Sequence, residues 1–473
     1  MTRNIKHYDL RASHPGHCAA RRVQCRTGQH RRLPDPAFNL RRSRMEKTTR
    51  TAWHLGVLLA VTLLAACGGG SGGDDGTAPG IDFTRMLYPP TPLDDPFFDQ
   101  PDPMPKLAPG TIIASREVRY APLGIPMPNS AWQLQYMSTG LQGQPMAAIA
   151  TVVKPLLPAL TLNRPLVSFQ FAINSAGLKC APSQQVTGSY ANTNSQLEAL
   201  NYIPQVLALG WTLVFPDHLG PTSSVAVGRV AGPIVLDGIR AAKRFEALGL
   251  TADSPVGLMG YSGGGVATAW AAGMQPKYAP ELDLRAVAIG GIPANLEATA
   301  RAFDGSALFF PVMYGAVLSI NRLFPQLVPP SLLTEEGKAM AESVKDGCLG
   351  GTTDGSAGPK GQMSDYTTVE DIYATPGARD VLPKISLPQP DVAPTADVYF
   401  YHQAADQLAP FAEMQKVADD WCARGSPVHV FKDFTGEHIV GAVTSAPSQL
   451  LYLESRFAGG ALTLLPPGTK SCN

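Results

Sequence analysis

The chain has 473 residues, 44% hydrophobic and 16% charged, which is ample material for a large core and too little charge for a disordered chain. Its 38 Lys/Arg balance 38 Asp/Glu, but residues 1–50 hold 13 basic and 3 acidic side chains, leaving 25 against 35 for the rest. That acidic remainder is unsuited to a phosphate backbone, so nucleic acid is excluded as a partner.

Residues 55–66 read LGVLLAVTLLAA, too short to span a bilayer but suited to the apolar stretch of a signal peptide. Lys47 and Arg50 supply its positive flank. The stretch ends Leu64-Ala65-Ala66-Cys67, which resembles the lipobox of bacterial lipoproteins, where the cysteine is lipidated and becomes the new N-terminus. The glycine- and serine-rich run 68–76 then reads as a flexible tether. Met45 is the more natural start. The reading is therefore a leader over 1–66, with 1–44 a mis-assigned start and 45–66 the signal peptide. A tether over 67–82 and a catalytic domain over 83–473 follow. The expected location is the bacterial cell envelope, tethered through Cys67, with secretion as the alternative. Gly68 after the cysteine favours the outer membrane.

Seven cysteines less Cys18, Cys25 and Cys67 leave Cys180, Cys348, Cys422 and Cys472. An even number in an oxidising compartment predicts two disulfides, with three pairings open. None lies in a CxxC or Cys/His metal spacing, so no metal site and no cofactor are expected.

After a proline-rich stretch (88–110), strands are predicted at 111–118, 131–138, 145–153, 165–172, 211–216, 254–261, 284–290, 396–402 and 427–434. Helices are predicted at 229–249, 264–274, 408–424 and 443–457. Alternating strands and helices imply a mostly parallel sheet covered on both faces. The alternation breaks at about 292–390, around the apolar run ALFFPVMYGAVL (307–318). Placed between two strands, this segment reads as an inserted, largely helical cap over an apolar pocket.

Gly260-Tyr261-Ser262-Gly263-Gly264 fits G-x-S-x-G. So does Gly69–Gly73 in the tether, so context has to separate the two. Ser262 follows a strand and precedes a helix, the sharp turn that lifts a serine above a sheet. The Gly263 N–H at the helix start can donate to an oxyanion. A serine needs a base, and beyond the leader only His218, His402, His429 and His438 are available. In this fold the order is Ser, acid, His, so His438 after the strand at 427–434 is the candidate base. Asp406, after the preceding strand, is the candidate acid, with Asp433 and Glu437 as rivals. The second oxyanion donor is expected in the loop 169–183, at Asn174 or Ser175.

Several longer stretches are similar to the secretory lipase family, the lipase A-like α/β hydrolases of yeasts and actinobacteria. They include SFQFAINSA, PDHLGP, VLDGIRAA, GYSGG, YHQAAD and EHI. The resemblance spans about 95 to 460. It implies an α/β-hydrolase fold with a mostly parallel central sheet and an inserted cap, and an ester hydrolase whose triad is Ser262, Asp406 and His438. It also implies an oxyanion site of Gly263 with Asn174, where the family has an acidic residue. A Cys180–Cys348 bridge from this loop to the cap is implied as well, leaving Cys422–Cys472. The expected function is a triacylglycerol lipase-like hydrolase of lipid esters, a monomer whose further partner is the membrane through its anchor. The alternatives are a short-chain or polymer esterase, an acyltransferase, or a non-catalytic lipid-binding surface lipoprotein.

Overall fold

The nine predicted strands all form, and a tenth joins them. The computed structural model describes residues 80–159, 161, 163–189, 198–459 and 465–472. The leader, Cys67 and the tether up to residue 79 lie outside the described residues. The strands are β1 (Ile112–Arg119), β2 (Ser130–Thr139), β3 (Pro145–Val153), β4 (Leu166–Gln170), β5 (Thr212–Pro216), β6 (Val256–Tyr261), β7 (Leu284–Gly290), β8 (Asp397–Gln403), β9 (Val428–Asp433) and β10 (Lys470–Cys472). Their order in one sheet is β1-β2-β3-β5-β4-β6-β7-β8-β9-β10. β1, β2, β3 and β5 pair antiparallel, and β10 runs antiparallel to β9. From β5 through β4 and β6 to β9 every pairing is parallel.

Adjacent residues of a strand enter opposite cores, as a period of two requires. Leu258 joins Val398 and Phe400 on one face, whereas Met259 joins Tyr399 and Tyr401 on the other. A short helix, α1 (Pro182–Gln185), and α2 (Ile203–Ala208) precede β5. The first face is covered by α3 (Gly228–Arg244) and α4 (Gly263–Tyr278), which supply Ile234, Val235 and Trp270. Between Gly290 and Asp397 the chain leaves the sheet and forms α5 (Leu296–Phe303), α6 (Phe310–Asn321), α7 (Glu335–Val344) and α8 (Pro376–Ile385). Then α9 (Phe411–Ala423) adds Met414 and Trp421 to the first face. On the other face α2 contributes Ile203 and Val206, and the last helix contributes Leu450, Tyr452 and Leu453.

The helix predicted at 443–457 is two helices, α10 (His438–Thr444) and α11 (Ala446–Phe457). Pro447 sits in the first turn of α11, where its missing N–H costs nothing. Both disulfides form, Cys180–Cys348 and Cys422–Cys472. The second ties β10 to the end of α9. Among the described residues no helix is long and apolar enough to cross a membrane.

Candidate active site

Ser262 sits between β6 and α4 with φ of +52°, a conformation that a side chain adopts only when its surroundings force it. The forcing comes from how tightly the strand, turn and helix fold on themselves. A Cβ at Gly260 would fall 2.6 Å from the Gly264 carbonyl oxygen, and one at Gly264 would fall 2.0 Å from the Gln170 carbonyl oxygen. The Ser262 N–H is held by the Gly290 carbonyl at 2.9 Å. The serine therefore projects from the end of the sheet at a fixed position.

His438 opens α10, just after β9. The Ser262 hydroxyl lies 2.9 Å from His438 Nε2, and His438 Nδ1 lies 2.7 Å from Asp406 Oδ2. A carboxylate only accepts, so Nδ1 carries the proton and Nε2 is left free to accept from the serine. Asp406 occupies the turn after β8, and its other oxygen accepts the N–H groups of Leu408 at 3.0 Å and Ala409 at 2.7 Å. The Tyr261 hydroxyl donates to the His438 carbonyl at 2.7 Å, which fixes the backbone beneath the ring.

The two rival acids are engaged elsewhere. Asp433 accepts from the hydroxyls of Tyr401 and Thr435. Glu437 caps α10 through the N–H groups of Ile439 and Val440. His402 lies close by, but its Nε2 donates to the Ala409 carbonyl at 2.6 Å, and burial holds its pKa below the usual histidine range. His429 bonds the Ser471 hydroxyl at the sheet edge, and His218 is buried.

Asn174 comes from the loop after β4 and, like Ser262, has positive φ, at +43°. Asparagine tolerates this region better than most residues. Its side-chain oxygen lies 2.1 Å from where a Cβ on Gly263 would be, so Asn174 and the N-terminus of α4 are in direct contact. Ser175, the other candidate, turns away: its hydroxyl donates to the Ile173 carbonyl and accepts the Leu349 N–H from the β7–β8 insertion.

Ser262, His438 and Asn174 line one cavity of about 100 Å³. Its walls are apolar. Phe303, Phe309 and Val312 come from the insertion, Leu408 from the turn after Asp406, and Ile439, Ala442 and Val443 from α10. One further acid borders it, Glu198, which nothing in the sequence singles out. It is almost fully buried, and burial pushes its pKa up to about 8. A larger apolar cavity of about 580 Å³ is lined by parts of residues 83–100, and its described lining residues include no histidine or cysteine. Among the described residues no cluster of three or more His, Cys, Asp or Glu side chains could hold a metal.

The mixed sheet, the helices on both faces and the strand–serine–helix turn define an α/β hydrolase. The sequence profile of the secretory lipases matches residues 185–463. A Mycobacterium tuberculosis protein named "Probable inactive lipase" is 34% identical over 397 residues, covering 82% of this chain and 87% of that protein. Lipase 4 of Candida albicans is 30% identical over 389 residues, covering 80% and 84%. The X-ray structure of Candida antarctica lipase A in its closed state superposes with a TM-score of 0.70 at 24% identity, over 79% of this chain and 87% of that one. The chain belongs to the secretory lipase family.

Proposed function

We propose that the protein is an exported carboxylic-ester hydrolase that cleaves lipid-like esters through an acyl-enzyme on Ser262. The observation that carries this reading is the unbroken hydrogen-bond chain Ser262–His438–Asp406 at the strand-to-helix turn. Ser262 Oγ attacks the ester carbonyl while its proton passes to His438 Nε2. Asp406 keeps the imidazole in the required tautomer and stabilises the imidazolium that forms. The Gly263 N–H and Asn174 receive the negative charge that develops on the carbonyl oxygen. Collapse of the tetrahedral intermediate expels the alcohol with the proton from His438. Water, deprotonated by the same imidazole, then attacks the acyl-enzyme and releases the carboxylic acid.

The apolar lining supports an acyl chain, and the family supports a lipid ester. In this reading the β7–β8 insertion is the cap over the site. A short-chain esterase is the second reading. It is favoured by the cavity of about 100 Å³, which is small beside the roughly 300–1,000 Å³ of common ligand pockets. The name of the mycobacterial relative raises a third, a lipid binder without activity, against which the complete hydrogen-bonded trio stands. Hydrolysis of p-nitrophenyl esters from acetate to palmitate, with Ser262→Ala alongside, separates the three. The lipase reading requires turnover that persists to long chains and vanishes in the variant.

Export follows in this reading from the leader before Cys67, with the lipid-modified cysteine as anchor. Metabolic labelling with palmitate tests it. Label that survives Cys67→Ser would overturn the anchor.

A further inference from the structure

Glu198 is the one carboxyl side chain among the described lining residues of the active-site cavity, and the mechanism above does not use it. It lines the cavity with Asn174, Ser262 and His438 and is 5% exposed. Its Oε2 accepts the Ala172 N–H at 2.9 Å, the only hydrogen-bond donor to this carboxyl among the described residues. No lysine or arginine is among the cavity's described lining residues. Tyr202 is a titratable neighbour, and that phenol is itself held well above its usual range by burial, so it stays neutral. Tyr261 borders the same cavity and is likewise held neutral by burial. Burial away from any described lysine or arginine of the lining therefore favours the neutral carboxylic acid, with the pKa pushed up to about 8.

Ala172 stands two residues before Asn174, in the loop that carries the amide to Gly263. The carbonyl oxygen of a neutral carboxyl still accepts the Ala172 N–H, less strongly than a carboxylate does. Losing the proton therefore leaves this anchor in place and changes the charge of the cavity. Within apolar walls a carboxylate is screened less than in water, and the developing oxyanion would form in the same cavity.

Resting on the ester-hydrolase reading, we propose that Glu198 is a positioning residue with a proton-dependent charge: in either form it accepts the Ala172 N–H that anchors the Asn174 loop, and on ionising it opposes formation of the oxyanion. Glu198→Gln keeps the acceptor and removes the charge, whereas Glu198→Ala removes both.

The test is the pH profile of kcat/KM on a soluble short-chain p-nitrophenyl ester. The wild type should lose activity on the alkaline side, by about tenfold one unit above the Glu198 midpoint, while Glu198→Gln stays level there. Glu198→Ala should lower kcat with KM little changed. Identical alkaline limbs in wild type and Glu198→Gln would overturn the proposal. A second readout needs no turnover, namely the infrared difference between wild type and Glu198→Gln. It should show a protonated carboxyl band at neutral pH that disappears as the pH passes about 8. A carboxylate band already present at about pH 6 would overturn the proposal. If no ester is hydrolysed, the hydrolase reading fails, and the infrared titration still decides the protonation of Glu198.

Discussion

The side-chain oxygen of Asn174 occupies the space that a Cβ at Gly263 would need, 2.1 Å from its ideal position. The loop after β4 and the first turn of α4 thus interlock, and the two candidate oxyanion donors hold each other in place. Gly263→Ala must displace Asn174, and Asn174→Ala removes the side chain while leaving α4 intact. Each is expected to lower kcat by about 10²–10³-fold, the usual effect of losing one oxyanion donor, with KM changed far less. Steady-state kinetics on one soluble ester measures both. Wild-type kcat in Asn174→Ala would remove this residue from the oxyanion site.

The same loop is tied to the β7–β8 insertion. Cys180 bonds Cys348 across 168 residues of sequence, the Ala176 N–H meets the Gly347 carbonyl at 3.2 Å, and the Leu349 N–H meets the Ser175 hydroxyl at 2.9 Å. Replacing both cysteines by serine should cost about 2–4 kcal/mol of stability, because a long loop of the unfolded chain is released. It should also lower kcat, because the insertion no longer steadies the segment that bears Asn174. Denaturant unfolding and kinetics on the same double variant check the pair. Lost stability with unchanged kcat would uncouple the bridge from the site.

His218 sets an acid limit on stability. It is 2% exposed, its Nδ1 has no hydrogen-bond partner among the described residues, and burial lowers its pKa from 6.5 to about 4. The folded state then binds fewer protons than the unfolded chain between those values. Its contribution is complete above pH 6.5 and is lost as the pH falls toward 4, on the order of 3 kcal/mol in all. Melting temperature should drop across this window in the wild type and less steeply in His218→Leu. Parallel curves would contradict it.

Ile439 and Val443 line the cavity and are still 45% and 51% exposed, an apolar rim at its mouth. A greasy substrate would lie across that rim, whereas a short soluble ester would not need it. Val443→Asp should therefore depress turnover of long-chain esters several-fold more than turnover of p-nitrophenyl acetate. Equal losses on both substrates would point to a general disturbance of α10 instead.

Much of this arrangement is legible in the sequence for identifiable reasons. Strands buried on both faces read as largely apolar runs, as β5 and β6 do. The serine turn announces itself because its glycines are required by close backbone approaches, Gly260 to the Gly264 carbonyl within the turn and Gly264 to the Gln170 carbonyl of β4. His438 and Asp406 are readable from chain order, each lying just past a strand end. The missed features depend on contacts distant in sequence. β10 is three residues, Lys-Ser-Cys, with no apolar pattern, and is attached through Cys422–Cys472 and pairing with β9. Glu198 belongs to no motif, and an isolated glutamate between weakly patterned segments reads as solvated. Its burial arises from the meeting of the β4 loop and the segment leading into α2. Asp433 and Glu437 lie too near His438 in sequence to reach its ring easily, and the structure engages them with Tyr401, Thr435 and the start of α10.

The central claim is that Ser262 carries a covalent acyl group during turnover. The most direct measurement is intact-protein mass spectrometry after treatment with an alkyl phosphonate ester, followed by peptide mapping. The account predicts one adduct per chain, on the peptide containing Ser262, absent in Ser262→Ala and strongly slowed in His438→Ala. An unmodified protein, or an adduct on any other residue, would contradict it.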